Sequence, residues 1–169
     1  MGLEEILKLG NPKLHEISEP VKANEMGILK PVVNNLHDLL MEFRKRYGAG
    51  RAIAAPQIGI MKRLIYMNIE EPVIIINPEL SDLSEEMMEI WDDCLCFPDL
   101  LVRVKRHKRC KVRFYDMDRK KQTWFPEGDL SELIQHEYDH LEGILATQRA
   151  IDLKSFRWRL SIVKPKRIS

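Results

Sequence analysis

Hydrophobic positions along the chain fall into two helical stretches separated by short alternating runs. Val32, Val33, Leu36, Leu39, Leu40 and Phe43 recur at helical spacing, and the pattern predicts a first helix beginning at Pro31 and stopping at Gly48. Pro31 suits the first turn, where its missing N–H costs nothing, and Gly48 suits the left-handed stop. Strands are predicted at residues 63–68, at 73–77 with an end at Pro78, and at 88–91, 111–116 and 122–125. The last two flank a polar turn at 117–121. A second helix is marked by Asp129 as N-cap, with Glu132 completing a capping-box-like pattern and Gly143 closing it. Leu130, Leu133, Ile134, Tyr138 and Leu141 cover much of its circumference, so it is expected to be buried on most sides. A helix, several short strands and a further helix predict an α+β domain.

Composition narrows the class without naming a function. The 169 residues suit a single core over residues 1–150, followed by a basic segment at 151–169. Lys and Arg number 27 against 26 Asp and Glu, a net charge of +1, so no specific DNA partner is expected. The longest apolar run, Val73-Ile74-Ile75-Ile76, is far below the roughly 20 residues of a membrane span. Acidic residues in the opening MGLEEILKLG argue against a signal peptide, and the expectation is a cytoplasmic protein with no membrane partner. Three cysteines, Cys94, Cys96 and Cys110, point to reduced thiols or a metal site rather than a disulfide framework. Cys110 lies in an alternating stretch and reads as a small buried hydrophobe.

The candidate chemistry sits in the middle of the second helix, at Gln135-His136-Glu137-Tyr138-Asp139-His140. A polar, His-rich centre in an otherwise apolar helix needs a partner, because unpaired buried polar groups are costly. His136 and His140 are one turn apart and face one way, so both imidazoles can reach one ion, with Glu137 beside its water. Two buried histidines with ordinary hydrogen bonds and a surface Glu are the bland alternative. Downstream, a third ligand could come only from Glu142 or Asp152 among the acids, and there is no further His. Upstream lies Asp92-Asp93-Cys94-Leu95-Cys96-Phe97-Pro98, where a Cys94 thiolate would complete three ligands and leave a fourth position open.

With these residues in view, the sequence resembles the peptide deformylase family over roughly residues 4–150. Gly50-Arg51-Ala52-Ile53-Ala54-Ala55-Pro56-Gln57-Ile58-Gly59 resembles that family's first motif, Asp92-Asp93-Cys94-Leu95-Cys96 its second, and residues 135–140 match its third without exception. The resemblance implies short, mostly antiparallel sheets around a central helix, and hydrolysis of the N-formyl group of formyl-methionyl nascent polypeptides. It implies Cys94, His136 and His140 as metal ligands and Glu137 as general acid/base. The Gln57 amide and the Leu95 backbone N–H would be donors to the oxyanion. Gly50, Arg51, Ala52, Ile90 and Leu133 would line the substrate groove. One divalent metal is implied, natively Fe²⁺, with Zn²⁺, Ni²⁺ or Co²⁺ able to take its place. Asp92, Arg106 and Asp139 would support the ligands from behind, through an Asp92–Arg106 ion pair bracing the cysteine strand and an Asp139 that supports an imidazole or anchors the helix.

The chain departs from that pattern at Arg51, Ala52, Asp92, Asp93 and Cys96. A methyl at Ala52 would crowd the groove or alter its backbone, and Arg51 would change side-chain preference or point to solvent. These changes carry an alternative substrate, some other N-formyl or N-acyl amine. Cys94 and Cys96 on one face of an extended strand would instead close a structural Cys2His2 zinc site in a non-catalytic protein. In the final segment Lys154, Arg157, Arg159, Lys164, Lys166 and Arg167 stand against Asp152 alone, with Phe156, Leu160 and Val163 at helical spacing. That segment reads as a packed helix with a basic end, or as a dock for ribosomal RNA.

Overall fold

The computed structural model describes residues 2–159. Helix α1 spans Met26–Tyr47, and strands β1 (Ala52–Ala54), β2 (Leu64–Asn68) and β3 (Pro72–Ser81) follow it. Then come β4 (Met87–Asp92), β5 (Leu100–His107), β6 (Lys111–Tyr115) and β7 (Lys121–Trp124), helix α2 (Asp129–Leu141), and β8 (Phe156–Trp158). Two antiparallel sheets result, one of five strands in the order β1-β2-β3-β6-β7 and one of three in the order β4-β5-β8.

At β1 and β2 the larger sheet is buried on both faces, which explains why β2 reads as an unbroken apolar run, whereas β6 and β7 alternate. Ile53, Leu64, Tyr66 and Ile76 turn to one core, shared with Leu36, Leu40 and Phe43 of α1 and with Val102 and Val104 of β5. Ala52, Ala54, Ile65, Met67 and Ile75 turn to the other, where Leu133, Ile134 and Leu141 of α2 pack. Helix α2 is therefore held against β1 by small side chains, close enough for its polar centre to meet the chain on either side of the sheet's end.

Several predicted boundaries move. Helix α1 begins at Met26 and Pro31 lies inside it, in the second turn, where its ring and missing N–H disturb the bond to the Gly27 carbonyl. Strand β3 runs on through Pro78 to Ser81, with a register shift between Ile76 and Glu79. Asn77 takes φ 51° there and exchanges two hydrogen bonds with the Val21 backbone, at 2.8 and 2.9 Å. Asp129 is the first helical residue of α2, not its N-cap; Gly128 holds that place at φ 63°. Glu132 turns away from the capping-box position to Arg51. Gly143 does end α2, at φ 72°, with Ile144 N–H donating to Asp139 O at 2.8 Å and Gly143 N–H to His140 O at 3.2 Å. Its α-carbon abuts residues 15 and 16: an added Cβ would lie 2.5 Å from His15 O.

The C-terminal reading changes more. Phe156–Trp158, assigned to a helix by spacing, form a strand paired with β5 through Leu100↔Trp158, Leu101↔Arg157 and Val102↔Phe156. A run this short carries too few turns for spacing to separate helix from strand. The expectation for Leu160 and Val163 falls outside the described residues.

Candidate metal centre and its relatives

Helix α2 presents Glu132, His136 and His140 on one stripe, each a turn from the next. Cys94 approaches from the turn after β4, its Sγ 3.3 Å from His140 Nε2. The donor atoms of Cys94, His136 and His140 lie within 4.8 Å of one another, and all three residues are buried. Cys96 is outside that group. A turn begins at Leu95 rather than the expected extended strand, and the Cys96 thiol stays beside that of Cys94, both within reach of Gln57 Nε2.

Each imidazole is placed by what surrounds it. Asp92 Oδ2 lies 2.9 Å from His136 Nδ1 and also accepts from Arg106 Nη2 at 3.0 Å. Arg106 Nη1 reaches on to Asp139 Oδ2 at 2.6 Å, and Arg149 closes the far side of Asp139 at 2.9 and 3.2 Å. The acid that orients an imidazole is thus Asp92. Asp139 pairs instead with Arg106 and Arg149, the contacts of a helix anchor. Gln135 ties α2 to the end of β5, accepting from His107 N–H at 3.0 Å and donating to His107 O at 2.7 Å.

Electrostatics follow from burial. Desolvation alone would raise the Asp92 carboxyl, but His136 and Arg106 outweigh it and hold the group well below the usual carboxylate range. Burial would depress His136, yet Asp92 lifts it to about 9. His140, buried and beside a cationic His136, is held well below the ordinary imidazole value. Burial pushes Glu137 up to about 7, against the pull of His136. Burial and the neighbouring Cys96 thiol push Cys94 up.

His136 Nε2 and both carboxylate oxygens of Glu137 are buried without a hydrogen-bond partner. Native proteins seldom leave such groups unpaired. A cation between the three donors would satisfy His136 Nε2, and a water beside it would satisfy Glu137, so the residues fit a metal.

The other expected residues are placed unevenly. Gln57 is fully buried in the turn Ala55–Ile58; its Oε1 accepts from Ala54 N–H at 2.8 Å, which aims Nε2 at Cys96 Sγ (3.4 Å) and Cys94 Sγ (3.6 Å). Leu95 is buried in the same turn as Cys94. Gly50 takes φ 132° and its carbonyl accepts from Arg44 Nε at 3.1 Å and Nη2 at 2.8 Å. Ile90 is half-buried in β4, whereas Leu133 and Ala52 are fully buried in the core under α2, where the Ala52 methyl packs. Arg51 does not point to solvent; its Nη2 pairs with the buried Glu132 at 2.6 Å. Arg149 and Arg159 are partners that sequence reasoning missed. The signal available for Arg159 was Asp93, an acid next to a buried ligand that needs a counter-charge.

Two imidazoles and a thiolate facing an unpaired, buried Glu on a buried helix define a metal-dependent hydrolase. The family model described as polypeptide deformylase matches residues 3–156. A peptide deformylase of Hyphomonas neptunium is 36% identical over 151 residues, covering 86% of this chain and 83% of that one. A peptide deformylase of Dictyoglomus turgidum is 35% identical over 149 residues, covering 88% and 93%. The crystal structure of the Thermotoga maritima peptide deformylase superposes with a TM-score of 0.80 at 30% identity, covering 87% of this chain and 97% of the other. The chain belongs to the polypeptide deformylase family.

Proposed function

We propose that Cys94, His136 and His140 hold one divalent metal and that Glu137 is the general acid/base beside it. The reaction is that of the family: hydrolysis of the N-terminal formyl group of formyl-methionine on newly made polypeptides, with release of formate. One observation carries the assignment of roles. Glu137, lifted to about 7 and without a partner for either oxygen, lies beside a buried Cys/His/His group. A carboxyl poised near neutrality both takes and returns a proton.

A bound ion supplies Lewis acidity, lowering the pKa of water and polarising a carbonyl. Around it, Glu137 takes the proton of the attacking water and delivers it to the departing amine. Gln57 Nε2, held by its Ala54 bond, and the Leu95 N–H stabilise the charge developing on the formyl oxygen. Asp92 keeps His136 in the tautomer that presents Nε2. Gly50, Arg51 and Ile90 flank the groove, with Ala52 and Leu133 supporting it from the core. Soft thiolate and imidazole donors suit several divalent ions, and Fe²⁺ is the ion we assign natively.

A second reading, another N-formyl amine as substrate, now rests on Arg51 alone. Ala52 faces the core and Asp93 is engaged elsewhere, but the Arg51–Glu132 pair sets charge one helical turn from His136. Anaerobic formate release from formyl-Met peptides, compared with other formylated amines, separates the two. Release from the peptides supports the primary reading; release only from other amines overturns it.

No helix among the described residues is long and apolar enough to cross a membrane. We place the enzyme in the cytoplasm, where nascent chains are met. We also propose that the basic segment docks ribosomal RNA through Lys154, Lys164, Lys166 and Arg167, since Arg157 lies 3.7 Å over the Trp91 ring and Arg159 is paired internally. Pelleting with ribosomes at two salt concentrations tests this. Loss of binding at the higher salt and on truncation supports it, and binding indifferent to truncation sinks it.

A further inference from the structure

The C-terminal segment crosses the outside of the turn that carries Cys94. Ser155, fully buried, accepts at its carbonyl from Arg103 N–H at 2.8 Å and sets the chain on the edge of β5. Its hydroxyl donates to Asp152 Oδ1 at 2.8 Å and accepts from Asp152 N–H at 3.1 Å, locking the turn before it. β8 then runs antiparallel along β5 and delivers Arg159. Arg159 touches three places on the segment between β4 and β5. Its Nη2 donates to Asp93 Oδ2 at 2.7 Å, its Nε to Pro98 O at 2.7 Å, and its backbone N–H to Asp99 O at 2.8 Å. The ion pair is enclosed, with the Arg159 side chain 12% and the Asp93 side chain 2% exposed.

Asp93 immediately precedes Cys94, and Pro98 and Asp99 close the same turn. A turn has no ladder of its own to fix a side chain. In this one Phe97 N–H bonds Cys94 O at 3.0 Å and Leu9 N–H bonds Cys96 O at 3.1 Å. Arg159 spans it from both ends. We propose that Arg159 is a positioning residue, with Asp93 as its counter-charge, that fixes the Cys94 turn against helix α2 and so couples the C-terminal strand to the metal centre. Resting on Cys94 as a ligand, it gives the departure at Asp93 a physical reason: the acid is the anchor for a strap.

The test is the full-length, metal-loaded protein against Arg159→Ala, Asp93→Gly and the double change, reading metal release to a chelator, kcat and KM. Support for a ligand typically governs affinity about 10- to 100-fold. Arg159→Ala is expected to weaken metal binding within that range and to lower kcat at unchanged KM. The double change should lose no more than the worse single change, because the two act as one unit. Arg159→Lys should recover part of the loss. Unchanged metal release and kcat in Arg159→Ala would overturn the proposal. So would independent, additive losses, or metal loss that merely tracks global unfolding by circular dichroism. Where an alanine variant does not fold, Arg159→Lys against Asp93→Asn reads the same coupling. The metal readout is independent of substrate, so absence of formate release would sink the function and leave this coupling standing.

Discussion

Helix α2 and the turn at residues 93–99 meet at the same centre but are built on different principles. The helix brings His136, Glu137 and His140 on a regular backbone whose apolar residues are sunk in the core, so their mutual geometry follows from periodicity. The turn brings Cys94 and Leu95 with no ladder of its own and is held by charges from distant parts of the chain. Arg106 and Asp139 brace it from inside through Asp92, and Arg159 from outside through Asp93. A ligand on regular structure is fixed by neighbours in sequence. A ligand on a turn is fixed by partners in space.

That contrast can be broken first at the helix. Glu137→Gln should retain metal and fold while lowering kcat about 10²- to 10⁴-fold, the usual worth of a general acid/base. A variant with undiminished formate release would remove Glu137 from the chemistry. On the turn side, Arg106→Ala removes the buried cation shared by Asp92 and Asp139, leaving those carboxylates to His136 and Arg149. Breaking such a network costs about 3–5 kcal/mol. Denaturant unfolding should show a loss of that size, and a loss below about 1 kcal/mol, the scale of an exposed pair, would mean the brace is ornamental.

Smaller effects sharpen the same comparison. Asp92→Asn keeps the shape but weakens the hold on His136 and Arg106, so metal affinity should fall about 10- to 100-fold, with fold intact by circular dichroism. Equal affinity in chelator competition would leave α2 sufficient to orient its own imidazole. Gly143→Ala probes the helix end: a left-handed non-glycine residue costs about 1–3 kcal/mol, and the new methyl would press on His15 O. Its thermal unfolding should drop accordingly while kcat of the folded fraction stays close to the parent. A parallel fall in kcat would show that α2 is positioned from its C-terminal end as well.

The same division explains what could be read from the residues alone. The i, i+4 spacing of His136 and His140 is local, and so is the apolar stripe that buries them; both were legible. The three ordered motifs placed Cys94 and Gln57 near the helix without giving geometry. The partner of His136 was less legible. Asp139 is nearer in sequence and equally able to support an imidazole or anchor the helix on sequence grounds, but β4 sets Asp92 against Nδ1 and leaves Asp139 to Arg106 and Arg149. Arg51 was free to face solvent on sequence grounds, and only the packing of β1 on α2 brings it to Glu132. Strand β8 was hidden for a different reason. Three residues carry no decisive period, and their pairing with β5 supplies the strand conformation.

The central claim is a three-ligand centre with one thiolate and an open position. X-ray absorption at the metal edge of the anaerobically loaded protein tests it most directly. The account predicts one sulfur, from Cys94, with the nitrogens of His136 and His140 and an oxygen from solvent in the first coordination sphere, and loss of the sulfur in Cys94→Ser. Two sulfurs, the second lost in Cys96→Ser, would contradict it, because a closed site leaves no place for the water that Glu137 must deprotonate.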